Sequence, residues 1–547
     1  MKIEINEPAK KIINSGLESL KNQDFISRLQ KKDATLWKND EEHKKIINNS
    51  LGWLSVIDFS LENADEITSF ANEAKQKFEY CVLLGMGGSS LAPEVFNNIF
   101  GNAEGFPKMF VLDTTNADWI NFVRKEIDIK KTLFIFASKS GGTVEPNSSF
   151  KYFWAELKRE GVENPGDNFI AITDEGTGLY KLSEDQKFLK RFVNPSDIGG
   201  RFSALSYFGM VPASLLGVDV KKFLGVAKNS YQEFLAEDKA LSLASLLGQA
   251  NLEGRDKLTL IMPKQIESFG LWVEQLVAES TGKEGKGILP ICGEGLYRDF
   301  KYIDDRVFVY IKQCEDFDKR ISSILEEITN AGHPLMTVCM ENNYDLATQY
   351  ILWQIATAGA GALMKINPFD QPNVESAKIL TKELLKELSS DEKQEPEKLI
   401  LSENLKDKDI NFQNLASNVY KLLKDHEYLA ILPYTNSSEG YTKVINCWKD
   451  EIFTRTSRPV VFGYGPRYLH STGQLYKGDG NKGLFIILSA PVENEIRIPG
   501  EEYSFEDLCN AQALGDFKAL SNGGRSVIKI HLEKPAIEGL KKINNLF

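Results

Sequence analysis

A buried strand that ends in a glycine turn and runs on into a helix recurs along this chain, and it constrains the fold more than any other feature. The run "YCVLL" (Tyr80–Leu84) ends in Gly85-Met86-Gly87-Gly88-Ser89-Ser90, and an amphipathic stretch follows. "KMFVLDTTN", "TLFIFASKSGGT" and "NFIAITDEG" repeat the pattern. Continuous apolar runs separated by helical stretches are what parallel strands covered on both faces look like. The pattern starts again with "KLTLIMP", "RVFVYIK" and "PLMTVCM", then with "YLAILPY", "PVVFGYG", "GLFIILS" and "SVIKIHL". The expected fold is α/β: a helical N-terminal arm over 1–50, doubly wound parallel-sheet domains over 51–225 and 226–390, and an α/β C-terminal region over 391–547. The charged stretch "ELSSDEKQEPEK" before that region reads as a surface linker or helix junction. The blocks Gly293–Lys312 and Gly463–Leu488 share an order of glycine turn, strand and helix, which suggests a diverged repeat.

Bulk properties narrow the function. The 547 residues suit two to four domains. A net charge of -12 gives no electrostatic footprint for nucleic acid. No run is long and apolar enough for a membrane span, and the start "MKIEINEPAKKII" lacks a secretory h-region. The six cysteines form no CxxC pair, so free thiols in a reducing cytoplasm and no metal site are expected.

The glycine turns speak for a small anion. Gly85–Ser90 lacks the third glycine of a dinucleotide fingerprint, and Asp113 is a weak stand-in for its acidic residue. A P-loop pattern is absent. The second turn, "ASKSGGTVEP", gathers Ser138, Ser140 and Thr143 around two glycines before a helix. Free N–H groups and hydroxyls at a helix start donate to phosphate oxygens, and a turn of this kind suits one phosphomonoester.

Such turns resemble the sugar isomerase (SIS) domain. Three longer motifs are similar to the glucose-6-phosphate isomerase family: "DIGGRFSALSYFG" (Asp197–Gly209), "AESTGKEGKG" (Ala278–Gly287) and "GALMKINPFDQPNVESAK" (Gly361–Lys378). The segment "GYGPRYLHSTGQLYKGDGNKG" most resembles the isomerase half of bacterial transaldolase–isomerase fusions. The resemblance implies two SIS-type domains and interconversion of glucose 6-phosphate and fructose 6-phosphate, in glycolysis and gluconeogenesis, through ring opening and a cis-enediol. No cofactor is implied.

The resemblance also assigns roles. Glu279 becomes the base that moves a proton between C1 and C2. Gln275, one helical turn earlier on the same face, becomes a substrate contact. Arg201, behind Gly199 and Gly200, faces the enediolate charge. Lys378 and a histidine open the sugar ring, and Gln371 touches phosphate or substrate. Gly88, Ser89, Ser138, Lys139, Ser140, Thr143 and Gly200 are the expected binding groups. The family places its histidine between the glutamate and "FDQ" segments. Here that place holds none, and "LHSTGQ" follows later, so His470 is chosen, with His333 as its competitor. His43, His426 and His531 have no motif around them and are expected to be structural or solvated. The resemblance further implies a cytoplasmic homodimer with a small sugar phosphate as its ligand. Two alternatives remain: a non-catalytic sugar-phosphate sensor, and an isomerase that also accepts mannose 6-phosphate.

Overall fold

The computed structural model describes residues 2–315, 318–388 and 396–547. Most of the charged stretch before the C-terminal region lies outside the described residues. Among the described residues there are three five-stranded sheets. The first runs β3-β2-β4-β5-β6, with β2 Tyr80–Leu84, β3 Lys108–Leu112, β4 Thr132–Ala137, β5 Phe169–Asp174 and β6 Lys190–Asn194. All its pairings are parallel. The chain reverses its direction of travel across the sheet between β2 and β4. Ligand crevices form outside the carboxyl ends of strands at such switch points. The two serine-glycine turns leave these two strands, side by side.

The second sheet runs β1-β10-β9-β7-β8, with β1 Lys2–Ile5, β7 Lys257–Ile261, β8 Leu289–Cys292, β9 Arg306–Gln313 and β10 Leu335–Met340. The third runs β11-β15-β14-β12-β13, with β11 Leu399–Leu401, β12 Tyr428–Tyr434, β13 Val460–Phe462, β14 Gly483–Ser489 and β15 Ser526–His531. Leaving out β1 and β11, each has its strands in the spatial order second, first, third, fourth. Each also carries one antiparallel edge strand beside the fourth. The C-terminal region is therefore a third unit with the same order of its first four strands, although the fifth strand is parallel in the first sheet and antiparallel in the other two, and the blocks Gly293–Lys312 and Gly463–Leu488 fall at equivalent places in sheets two and three.

The N-terminal arm is helical but opens with β1, and it is docked rather than splayed on the surface. Its helix Glu7–Asn22 buries Ala9, Ile12, Ile13, Gly16 and Leu20. A Cβ on Gly16 would lie 2.6 Å from Ser245 Cβ, so glycine permits close packing on helix Lys239–Leu252. Each large aliphatic side chain buried this way contributes about 1.5–3 kcal/mol.

Two buried helices lead into the candidate site. Helix Leu346–Met364 is buried along all of its 19 residues, as expected of a helix that is apolar all round. It ends at Lys365, in the left-handed conformation, and the "NPFDQ" loop follows. Helix Phe269–Thr281 carries Gln275 at its middle and Glu279 and Ser280 at its C-terminal end. The third unit docks against that end. A Cβ on Gly282 would sit 2.3 Å from Leu475 Cα, and Gln474 Nε2 donates to Gly282 O at 2.8 Å.

A separate histidine reports on the third sheet. His531 Nδ1 lies 2.9 Å from Ser489 Oγ across the register of β14 and β15. Burial, and secondly the Lys529 charge, push its imidazole from 6.5 down to about 4. The unfolded chain takes up this proton near 6.5, while the folded chain waits until about 4. Stability therefore falls as pH drops through that window and is unaffected by this group above it. The ring is only partly buried, so screening reduces the effect to about 1–2 kcal/mol. The urea midpoint of His531→Gln should change less than that of the wild type between pH 7 and pH 5. Equal changes would remove His531 as the cause.

Candidate active site

The site gathers at the carboxyl end of the first sheet. Gly87, with φ +53°, lets the first turn double back. A Cβ on Gly88 would lie 2.1 Å from Gly200 O, so the turns before Ser89 and Arg201 are in backbone contact. Ser203 Oγ donates to Gly88 O at 3.3 Å and to Gly200 O at 2.6 Å. Any side chain at Gly88 would push the two apart.

Arg201 is 3% exposed, and its guanidinium ties the site together. Nε donates to Ser280 Oγ at 2.8 Å, and Nη1 to Gln371 Oε1 at 2.8 Å. Nη2 donates to Pro368 O and Asp370 O at 2.7 and 2.8 Å. Nη1 also lies 3.2 Å from Glu279 Oε1. Glu279 is buried, and its other oxygen accepts from Gln275 Nε2 at 3.1 Å. The same Gln275 nitrogen donates to His470 O at 2.8 Å. One bonded network thus joins Gln371, Arg201, Glu279, Gln275 and the backbone of His470, all from one chain. The planar guanidinium fork makes this geometry possible; lysine has no equivalent.

The His470 ring points to a partner that the sequence did not disclose. Nε2 lies 3.2 Å from Glu145 Oε1, which also accepts from Gln512 Nε2 at 2.7 Å. Burial opposes ionisation of Glu145, but His470 and then Lys378 act against it, and the carboxyl is held below its ordinary value. Such a carboxylate fixes the orientation of an imidazole. Glu145 stands in the first turn of helix Val144–Arg159. The signal available was an acidic residue beside a turn otherwise suited to an anion.

Ser138 is buried, and its Oγ accepts from Gly141 N at 3.1 Å. Ser140 Oγ accepts from Gly142 N at 3.2 Å. Thr143 precedes the 16-residue helix without capping it through its side chain, so the amides of the first turn keep no hydroxyl partner from that residue. Lys139 turns instead to the loop before Arg201, donating to Ser196 O and Ile198 O at 2.7 Å each.

Other groups fall elsewhere. Lys378 is exposed and pairs with Glu375 at 3.3 Å; it reaches the site only through its charge on Glu145. His333 packs edge-on against Phe308 and Tyr302 just before β10. His426 bonds Leu422 O and Ser526 Oγ, a structural role. His43 lies 3.6 Å from Asp370 Oδ2. Lys283, also unforeseen, donates to Asn367 O at 2.8 Å and Asp370 Oδ1 at 2.7 Å, fixing the "NPFDQ" loop. Burial, helped by the Arg201 charge and opposed by Asp370, pushes Lys283 down to about 8. Among the described residues no helix is long and apolar enough to cross a membrane.

Residues 62–287 match the Phosphoglucose isomerase family. That span contains both serine-glycine turns, Arg201, Gln275 and Glu279, and ends before Gln371, Lys378 and His470. A probable glucose-6-phosphate isomerase of Methanococcus maripaludis is 28% identical over 382 residues, covering 62% of this chain and 86% of its own. Two solved structures share the fold. A hypothetical protein of Thermus thermophilus aligns with TM-score 0.58 and 22% identity, over 70% of this chain and all of that one. A glucose-6-phosphate isomerase of Chlamydia trachomatis aligns with TM-score 0.52 and 21% identity, over 66% of this chain and 78% of its own. These matches relate the chain to the superfamily of sugar-phosphate isomerases.

Proposed function

We propose that this protein interconverts glucose 6-phosphate and fructose 6-phosphate through ring opening and a cis-enediol. The observation that carries this reading is the buried Glu279 carboxylate, 3.2 Å from the Arg201 guanidinium and joined through Gln275 to the turn that bears His470. Moving a proton between adjacent carbons needs one base, and it needs a fixed cation where the enediolate charge develops. Glu279 would be the base and Arg201 the cation. His470, oriented by Glu145, would exchange a proton with the ring oxygen, and Lys378 would assist from the rim. The turns at Gly88–Ser89 and Ser138–Thr143 would hold the phosphate, with Gly200 and Gln371 lining the sugar. Proton transfer of this kind requires no redox cofactor or metal. The resemblance to a cytoplasmic homodimer stays part of the reading, although the network itself forms within one chain.

The test is proton NMR of fructose 6-phosphate in D2O with the purified protein. Glucose 6-phosphate carrying deuterium at C2 is the expected product. Mannose 6-phosphate would appear beside it if both faces of C2 were served. Binding without conversion or exchange would identify a sensor and overturn the reading. Ser138→Ala should raise KM by about 5- to 20-fold with kcat little changed, because phosphate contacts are held equally in ground and transition states. Steady-state kinetics check this, and a loss confined to kcat would contradict the phosphate role.

A further inference from the structure

The turn that bears His470 belongs to the third unit, yet it must sit over the first. Arg467, three residues before the histidine on the short helical turn Arg467–His470, makes that connection. Its Nη2 and Nη1 both contact the Glu94 carboxylate, Nη1 at 3.2 Å. Its Nε donates to Asp113 Oδ2 at 2.6 Å. Glu94 lies in helix Leu91–Phe100, which leaves the first glycine turn, and Asp113 follows β3. Ser90 Oγ of the same glycine turn donates to Asp113 Oδ2 at 3.1 Å. A Cβ on Gly87 would lie 2.7 Å from His470 O. Fork-shaped pairing of arginine with two carboxylates fixes direction as well as distance.

We propose that Arg467 is a positioning residue, which through Glu94 and Asp113 sets the distance of the His470 imidazole from the substrate ring. The proposal rests on the isomerase reading for its kinetic consequence only. The polar contacts of Arg467 go to Glu94 and Asp113, not to Glu279, Arg201 or the histidine ring. It also lines a cavity of 690 Å3 together with Glu94, Asp113, Lys449 and Ser471. Water can enter there when the guanidinium is removed, so the two carboxylates need not be left dry and unpaired.

The experiment compares wild type with Arg467→Met, Arg467→Lys and Glu94→Gln. Amide hydrogen exchange over residues 463–472 should quicken at least 10-fold in Arg467→Met, while exchange in the strands of the first sheet stays unchanged. With fructose 6-phosphate, kcat should fall by about 10- to 50-fold, with KM within threefold. With 5-deoxyfructose 6-phosphate, which has no ring to open, kcat should stay within threefold. Arg467→Lys, keeping the charge but not the fork, should recover part of the loss. Parallel losses on both sugars, or unaltered exchange in the turn, overturn the proposal. If wild type converts neither sugar, the isomerase reading fails, while the exchange data still decide whether Arg467 holds the turn.

Discussion

Replacing Glu279 by Gln is expected to lower kcat by about 10^3- to 10^4-fold in both directions, with KM within threefold. The amide has nearly the shape of the carboxylate but cannot take up the C2 proton at neutral pH, and general acid–base transfer is worth about 10^2–10^4 by itself. The larger value is expected because this group would serve as the only base for both halves of the transfer. The surroundings should survive. Arg201 keeps its bonds to Ser280, Gln371, Pro368 and Asp370, and Gln275 has an otherwise unpartnered Oε1 to offer the new amide. Coupled assay, together with deuterium exchange at C2, measures the outcome. Retention of more than a tenth of wild-type kcat would remove Glu279 from the role of base. Glu279→Asp should recover part of the loss, since the chemistry returns with the carboxylate one methylene short of its place.

Replacing His470 by Gln should cost about 10^2- to 10^3-fold in kcat on fructose 6-phosphate and under threefold on 5-deoxyfructose 6-phosphate. In the proposed reaction the imidazole exchanges a proton with the ring oxygen and takes no part in transfer between carbons. Its Nε2 faces Glu145 at 3.2 Å, and its backbone oxygen, which the substitution leaves in place, keeps the bond from Gln275. The turn should therefore hold its position while the proton carrier is lost. Steady-state kinetics on the two sugars decide it. An equal loss on both would tie His470 to the enediol step instead. No loss on either would return the choice to the other histidines.

Much of the fold was legible because parallel strands buried on both faces must be apolar throughout. The eleven strands expected from apolar runs are all present. The four that sequence reading missed, β1, β6, β8 and β11, each lie at the edge of a sheet. An edge strand is covered on fewer sides, so "KIEI" and "KRFVN" need no continuous apolar run, and "LIL" is too short to register. Residues 1–50 were legible as helical, but their polar pattern concealed that helix Glu7–Asn22 buries a stripe of Ala, Ile and Leu, because three or four apolar residues per two turns suffice to dock a helix.

The candidate site divides along the same line. Sequence alone singled out the glycine turns and the serines in them, and the resemblance of local motifs to the glucose-6-phosphate isomerase family marked Arg201, Gln275, Glu279 and Gln371. It also singled out His470, from a short motif at an unexpected place. Tertiary structure alone decided that a third sheet of repeated topology brings that histidine to the first sheet. It alone showed that Glu145 orients the ring, that Lys283 fixes the "NPFDQ" loop, and that Arg467 pairs with a glutamate 373 residues away in sequence. Those roles depend on which side chains meet across the chain. Isolated glutamates, lysines and arginines carry no local signature of a partner, and only packing of the three sheets supplies one.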